Sequence, residues 1–369
     1  MNKRANILLV GQTPPPFHGQ SVVTAMLFEH SWPDLEVERL RMAFSDDLES
    51  VGEASWLKVW RLLCLILRTW KIVLTRRPEI LYYLPASPNM APVIRDIVYL
   101  GAVRWFFPKT VFHYHAGGLD DFVRQQSSIG WIARSIYGGA DCSIDVNVTQ
   151  PPSGEFFKAK QNIVVMNGLD VGEASRQRPK KSVLRLLYLG LLCEPKGVME
   201  MLSVASELKA SGVECEFVMV GAWESSALER EFKSAADTQE VAGMFHFKGV
   251  LSGEKKWQAY ADADIFLFPT HHPTETFGLV LIEAMAFGLP IVTNRWRGVP
   301  HVIGDSGCAV LCEPETPKET AAAITQLAND RKLRDEMGRA GKYRYKEQFT
   351  KAQFVSKMAA AFGEILAAD

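Results

Sequence analysis

Short apolar runs alternate with longer amphipathic stretches from one end of the chain to the other. Runs of strand length fall at 6–10, 80–84, 110–113, 142–146 and 162–166, and a second series at 184–190, 216–221, 244–247, 264–268, 290–293 and 309–312. They are rich in β-branched and aromatic residues, and the intervals between most of them are long enough for a helix. That alternation predicts parallel α/β architecture, with each strand returned to the sheet through a crossover helix. The polar stretch 172–181, Gly-Glu-Ala-Ser-Arg-Gln-Arg-Pro-Lys-Lys, reads as a linker. Two Rossmann-like domains are therefore expected, at 1–174 and 182–347. The last amphipathic stretch, 350–369, follows the second sheet and is expected to pack back on the first domain. In such sheets ligands bind beyond the carboxyl ends of the strands, so the loops leaving strands are where chemistry is sought. Two domains whose strand ends face each other would enclose a cleft.

Composition narrows the picture only a little. With 369 residues, 47% of them apolar and 22% charged, the chain is long enough for two cores. A net charge of −1 and a pI near 6.7 argue against a nucleic-acid partner. Cys64, Cys142, Cys193, Cys215, Cys308 and Cys312 contain no C-x-x-C pair, which suggests reduced thiols in a cytosol rather than disulfides or zinc. The apolar run at 6–10 is too short for a signal peptide and reads as an opening strand.

The richest segment is 271–286, His-His-Pro-Thr-Glu-Thr-Phe-Gly-Leu-Val-Leu-Ile-Glu-Ala-Met-Ala. Glu275 and Glu283, with seven residues between them, lie where a loop turns into a helix. The helix is expected to open near Thr276 and to close at Gly288-Leu289-Pro290, placing Glu275 at its mouth and Glu283 two turns inside. Free N–H groups at such a start attract anions, and Gly278 lets a ligand approach the backbone. A carboxylate beside an anion site cannot bind the anion, but it accepts hydrogen bonds from hydroxyls on the same ligand. A ligand with both features is a nucleotide sugar.

Other loops add weaker signals. In 11–21, Gly-Gln-Thr-Pro-Pro-Pro-Phe-His-Gly-Gln-Ser, His18, Gly19 and Gln20 stand before a helix. There a phosphate or acceptor could approach, although a tight turn with no ligand reads equally well. His113 and His115 end the third strand run before Gly117-Gly118; His113 suits a structural role, and His115, on the loop side, suits donation to a sugar hydroxyl. Asn167-Gly168-Leu169-Asp170 tolerates positive φ and is expected mainly to steer the chain into the linker. Gly190 ends a strand ahead of Lys196-Gly197, where a lysine at a helix start provides a point charge for a diphosphate; a solvated surface lysine is the alternative. Gly221 would let a base or ribose lie against the backbone. Asp262-Ala263-Asp264 imitates a metal-binding D-x-D, but it precedes its strand instead of following it, and a helix-to-strand turn accounts for it better.

The stretch 56–77 carries cations and no acids. On a helical wheel Lys58, Arg61, Arg68, Lys71 and Arg76 share one side, and Leu63, Ile66, Leu67, Trp70 and Leu74 the other. Such a helix suits an anionic membrane surface. Its recurring charges exclude a spanning helix, while an ordinary sheet-covering helix is the alternative. The apolar segment 93–107 would extend that surface or line an acceptor groove.

Taken in order, these residues resemble the retaining glycosyltransferases of family four, which have the GT-B fold. The likeness rests on Glu275 and Glu283 with Phe277-Gly278, on Lys196-Gly197, Asn167-Gly168-Leu169-Asp170, His115 and the Gly19 loop. The run Trp296-Arg297-Gly298-Val299-Pro300-His301 is also similar. The resemblance covers nearly the whole chain. It implies that Glu283 holds the ribose hydroxyls and Lys196 the diphosphate, with Glu275 on the transferred sugar and His115 reaching that sugar from the other domain. Backbone N–H groups of Phe277, Gly278 and Leu279 would complete the phosphate cradle. It further implies retention at the anomeric carbon, no required metal, and a leaving phosphate that takes the acceptor's proton. Three positions depart from the family pattern. Leu191 stands where an arginine usually follows the phosphate-turn glycine; loss of that cation is worth about 1.5–3 kcal/mol unless Arg295 or Arg297 replaces it. Gln20 replaces a second glycine, and His301 replaces a glutamate.

The expectation is thus a cytosol-facing enzyme, peripheral on the inner face of a cell membrane. It would move a sugar from a UDP- or GDP-sugar to a glycan or polyprenyl-linked acceptor in bacterial envelope polysaccharide synthesis. Two alternatives remain: a GT-B-shaped nucleotide-sugar epimerase or hydrolase, which needs an acid–base pair at C2, and a non-catalytic subunit retaining the fold.

Overall fold

The computed structural model describes residues 5–15, 19–44, 56–148, 152–177 and 183–368. The chain divides into two units, residues 1–169 with 351–369, and residues 170–350. The first holds β1 (Ala5–Gly11), β2 (Leu35–Arg41), β3 (Ile80–Tyr83), β4 (Lys109–Tyr114), β5 (Cys142–Asp145) and β6 (Gln161–Val164) in the order β2-β1-β3-β4-β5-β6. The second holds β7 (Leu184–Leu189), β8 (Cys215–Val220), β9 (Phe245–Phe247), β10 (Ile265–Phe268), β11 (Ile291–Asn294) and β12 (Ala309–Cys312), ordered β12-β11-β10-β7-β8-β9. Every strand pair is parallel. The central strands are buried along their whole length, Ile80 to Tyr83 and Ile265 to Phe268 among them, as strands covered by helices on both faces must be.

All eleven strand runs read from the sequence form strands, within two residues at their ends. The twelfth, β2, was not anticipated. Its sequence, Leu-Glu-Val-Glu-Arg-Leu-Arg, sits at a sheet edge with only Leu40 buried. Edge strands carry charge to discourage pairing with another chain, and here that charge hides the strand from an apolar-run reading.

In the first unit the helices Trp56–Arg76, Met90–Val103 and Ser128–Tyr137 place Leu65, Ile66, Val93, Tyr99, Leu100, Ala133 and Tyr137 in one core over the sheet. The single acid of those helices, Asp96, is buried. It accepts hydrogen bonds from the Tyr83 and Tyr137 hydroxyls (2.6 and 2.9 Å), the Ala86 N–H (2.7 Å) and the Arg95 guanidinium (2.7 Å). A buried charge is tolerated when its lone pairs are filled in this way. The final helix, Lys351–Ala367, belongs to this same unit. Phe362 meets Trp32 and Tyr82 edge-on at 5.6 Å each, and Lys109 donates to the carbonyl of Ile365 at 2.7 Å.

In the second unit Gly172 lies against Trp257, so the chain is already on this unit there. The remainder of the expected linker, 178–181, and the domain start at 182 lie outside the described residues. All six cysteines are free thiols, and five are buried.

Candidate active site

The loop leaving β10 and the helix after it, Leu279–Phe287, form one wall of the site. The helix opens three residues later than its sequence suggested. Gly278 caps it in the left-handed region, with φ of 72°, and Thr276 and Phe277 remain in the loop. Glu275 therefore precedes the helix by four residues, and Glu283 is just over one turn inside it, not two. In this nine-residue helix, capped by Gly278, the N–H groups of Gly278 and Leu279 have no partner within the helix, the feature of a helix start that attracts anions.

The turn after β7 forms the second wall. Lys196 ends a short 3-10 turn, Glu194–Lys196, and the next helix begins only at Glu200, so the lysine is in a turn and not at the helix start. Gly197 has φ of 78°, and a Cβ there would stand 2.2 Å from the Pro269 carbonyl oxygen, so only glycine lets this turn press on the β10 loop. The His271 N–H donates to the Pro195 carbonyl at 2.8 Å and locks the two loops together. In consequence the Lys196 ammonium sits 3.2 Å from Glu275 Oε2, with both side chains largely shielded. Lys196 also lies over the Phe268 ring at 5.4 Å.

Gly190 and Gly221 bring the ends of β7 and β8 into contact: a Cβ on Gly221 would meet the Gly190 carbonyl oxygen at 1.8 Å. What lies against Gly221 here is backbone.

Glu283 is 4% exposed and doubly held. Lys256 Nζ donates to its Oε1 at 2.5 Å, and the Tyr260 hydroxyl to its Oε2 at 2.7 Å. Neither partner was singled out from the sequence; the only signal is their spacing of four on the helix Gly253–Ala261, which puts them on one face. His272 and Trp296 lie in segments quoted from the sequence, which assigned them no role of their own. Burial and the neighbouring Lys196 lower the His272 pKa, and its Nδ1 lies 3.1 Å from the Thr274 hydroxyl. Trp296 donates its indole N–H to the His272 carbonyl at 2.8 Å, and Arg297 stacks over Trp296 at 5.8 Å. Arg297 is exposed, whereas the Arg295 guanidinium is paired with Glu313 at 3.0 Å, so of the two proposed substitutes for the missing arginine Arg297 is the less committed. Leu191 is exposed, and the His301 pKa is lowered by burial and by Arg344.

Asp262 and Asp264 stand at the amino end of β10. Asp262 accepts from the Gln177 N–H at 2.8 Å, while Asp264 accepts from the Arg185 N–H at 2.9 Å and pairs with Arg176 at 2.8 Å. They are turn acids at the end of the sheet opposite to the site.

In the first unit His113 is fully buried, its Nδ1 2.6 Å from the Tyr82 hydroxyl, and burial drives its pKa well down. His115 lies one residue beyond β4, half-buried, its ring 4.2 Å from that of His113. Gly19 and Gln20 open the helix Gly19–Glu29, and His18 lies outside the described residues. Residues 167–170 are irregular and lead into the second unit, and none of them uses the positive φ that their types tolerate. Asn167 and Leu169 are buried, which fixes the path of the chain by packing.

The family profile described as "Glycosyl transferases group 1" matches residues 173–344. The capsular polysaccharide biosynthesis glycosyltransferase CapM of Staphylococcus aureus is 26% identical over 165 residues, 44% of this chain and 41% of its own length. The first curated relatives matched are covered over only 19% to 44% of their lengths, so the chain spans less than half of each. Among solved structures, sucrose-phosphate synthase from Thermosynechococcus elongatus is similar over 99% of this chain and 100% of its own, at 16% identity and a TM-score of 0.75. Anabaena HepE in complex with UDP is similar over 97% and 100%, at 15% identity and a TM-score of 0.67. The chain thus has the α/β architecture of GT-B glycosyltransferases, and residues 173–344 of its second unit are similar to the glycosyl transferases group 1 family.

Proposed function

We propose that this chain is a retaining, metal-independent glycosyltransferase that moves a sugar from a UDP- or GDP-sugar to a glycan or polyprenyl-linked acceptor of a bacterial envelope polysaccharide. The observation that carries the reading is the Lys196–Glu275 pair, 3.2 Å apart beside a glycine-capped helix start. Lys196 and the N–H groups near Phe277, Gly278 and Leu279 meet the diphosphate, and Glu275 accepts a hydroxyl of the transferred sugar. Glu283 accepts the ribose hydroxyls. In the transfer, the bond between the anomeric carbon and the diphosphate oxygen breaks as the acceptor oxygen bonds to that carbon. The acceptor's proton passes to the departing phosphate. Fixed cations and amides near that phosphate stabilise charge that grows in the transition state. The names of the relatives agree with this class: CapM acts in capsular polysaccharide biosynthesis, and HepE was solved with UDP.

Nucleotide release from a panel of UDP-, GDP- and ADP-sugars tests the reading. One donor is expected to be hydrolysed slowly by the wild type, with rates about 10²-fold lower for Lys196→Ala and for Glu275→Ala. Unchanged rates in both variants would overturn the assigned roles. In product formed with an acceptor, the anomeric proton coupling would show retention.

The proposal includes an anionic membrane surface as partner of 56–77. In the helix Trp56–Arg76 the stripe that covers the sheet is Leu62, Leu65, Ile66, Thr69, Ile72 and Val73, a different stripe from the one the sequence reading contrasted with the cations. Of that set only Ile66 is buried; Leu63, Leu67, Trp70 and Leu74 face outward with Trp56 and Trp60, and Trp56 and Leu74 are 89% and 78% exposed. Ile94, Val98, Trp105, Phe106 and Trp131 add exposed apolar groups on the neighbouring elements. Arg68 and Lys71 flank the outer stripe, and no helix among the described residues is long and apolar enough to cross a membrane. An apolar stripe bordered by cations, left over after the core has been covered, fits a bilayer interface rich in anionic lipid. Co-sedimentation with phosphatidylglycerol vesicles is expected, and it is expected to weaken on Arg61→Glu with Arg68→Glu. Indifference to both lipid charge and these substitutions would refute the membrane partner.

A further inference from the structure

We infer that Lys256 and Tyr260 are positioning residues that fix the Glu283 carboxylate for two vicinal ribose hydroxyls, so that a second helix governs how well the site reads the sugar of the nucleotide. The inference rests on the donor role proposed for Glu283. Its observations are the two short hydrogen bonds, 2.5 Å from Lys256 to Oε1 and 2.7 Å from Tyr260 to Oε2, on an acid 4% exposed.

An ionised carboxylate has about four acceptor sites, two on each oxygen. Lys256 takes one and Tyr260 takes another on the opposite oxygen, which leaves one on each. With both oxygens tethered the carboxyl group cannot turn about its terminal torsion, which is otherwise broad. The two sites that remain are fixed in space, as a rigid pair of neighbouring hydroxyls requires.

The tethers are themselves rigid. Tyr260 is fully buried and its ring packs on Phe287 at 5.5 Å, Phe266 at 5.7 Å and Trp257 at 6.3 Å, so it is wedged between β10 and the helix that carries Glu283. Lys256 lies over the Trp257 ring at 4.7 Å, and Trp257 is backed by Phe287 at 6.1 Å. Burial and the adjacent Glu283 push the Tyr260 hydroxyl well above its ordinary pKa, so it remains a donor throughout the working range. Lys256 also supplies the opposite charge that a shielded carboxylate requires.

The test is calorimetric titration with UDP and GDP and with their 2′,3′-dideoxy analogues, which lack both hydroxyls. Wild type, Lys256→Met, Lys256→Arg and Tyr260→Phe are compared. Tyr260→Phe removes one hydroxyl and keeps every ring contact, and thermal unfolding of each variant verifies that it folds. The nucleotide that wild type binds is expected to bind Lys256→Met and Tyr260→Phe about tenfold more weakly, equal to ~1.4 kcal/mol, with partial recovery in Lys256→Arg. The dideoxy analogue, already weaker with wild type, is expected to change less than about twofold among the variants. In turnover the same variants raise the donor KM and leave kcat close to wild type. Equal losses for the ribose and dideoxy nucleotides would overturn the inference, because Lys256 would then act on the ligand generally. Unchanged affinity in both variants would overturn it as well. If wild type bound neither UDP nor GDP, the donor reading would fail first, and this inference with it.

Discussion

Gly197 and Lys196 show how much of the site depends on single backbone positions. Gly197→Ala would place a methyl 2.2 Å from the Pro269 carbonyl at a φ of 78°, two separate faults at one residue. We expect it to cost about 1–3 kcal/mol of stability and, by moving Lys196 from Glu275, to remove most donor hydrolysis. Thermal unfolding together with nucleotide release checks both parts, and a stable, active variant would contradict the account. Glu200 offers a test of a different kind. Burial, reinforced by Glu315, raises its pKa from the ordinary 4.5 to about 7. Below 4.5 the folded and unfolded chains both hold this proton; between 4.5 and 7 the folded chain keeps a proton that the unfolded chain releases. Its contribution therefore declines as pH rises through that window and is fully lost above it. Glu200→Gln should match wild type at pH 4 and melt higher at pH 8, by roughly 2–4 °C. A lower Tm at pH 8 would show that the charged form is the stabilised one.

At the scale of elements, the helix Trp56–Arg76 carries two apolar stripes with opposite duties. Leu65 is buried in the first core, and Leu67, two residues on, is exposed. Leu65→Ala should cost about 2–5 kcal/mol, and Leu67→Ser no more than about 0.5 kcal/mol while weakening vesicle binding. Similar losses of stability from both, measured by denaturant unfolding, would mean that the outer stripe is covered by protein. This helix also marks a limit of sequence reading. A wheel shows that apolar residues cluster, but which stripe meets the sheet depends on the neighbouring helix Met90–Val103, and no local pattern encodes that. The eleven other strands were legible because each is a short apolar run between polar breaks, whereas the charged edge strand β2 has no such run. The helix after β10 was legible in kind but not in its start, since Gly278 in the left-handed region delays it by three residues.

Over the whole molecule, the alternation of runs conveyed two parallel sheets, and the departures from regular pattern pointed to the candidate site. Glu275, Lys196 and Gly278 were legible because a strand-end loop with a glycine and opposite charges has few structural uses. Lys256 and Tyr260 were not, because both act through Glu283 from a helix of ordinary composition; His272 and Trp296 stand in segments the sequence marks, but the bond that joins them spans 24 residues and no local pattern shows it. The central claim is that the carboxyl edge of the second sheet is a nucleoside diphosphate-sugar site centred on Lys196. It is tested most directly by titrating wild type and Lys196→Ala with UDP and with GDP. One of the two should saturate wild type at a single site, with an affinity about tenfold or more lower in Lys196→Ala. Absence of binding by both, or equal affinity in the variant, would contradict it.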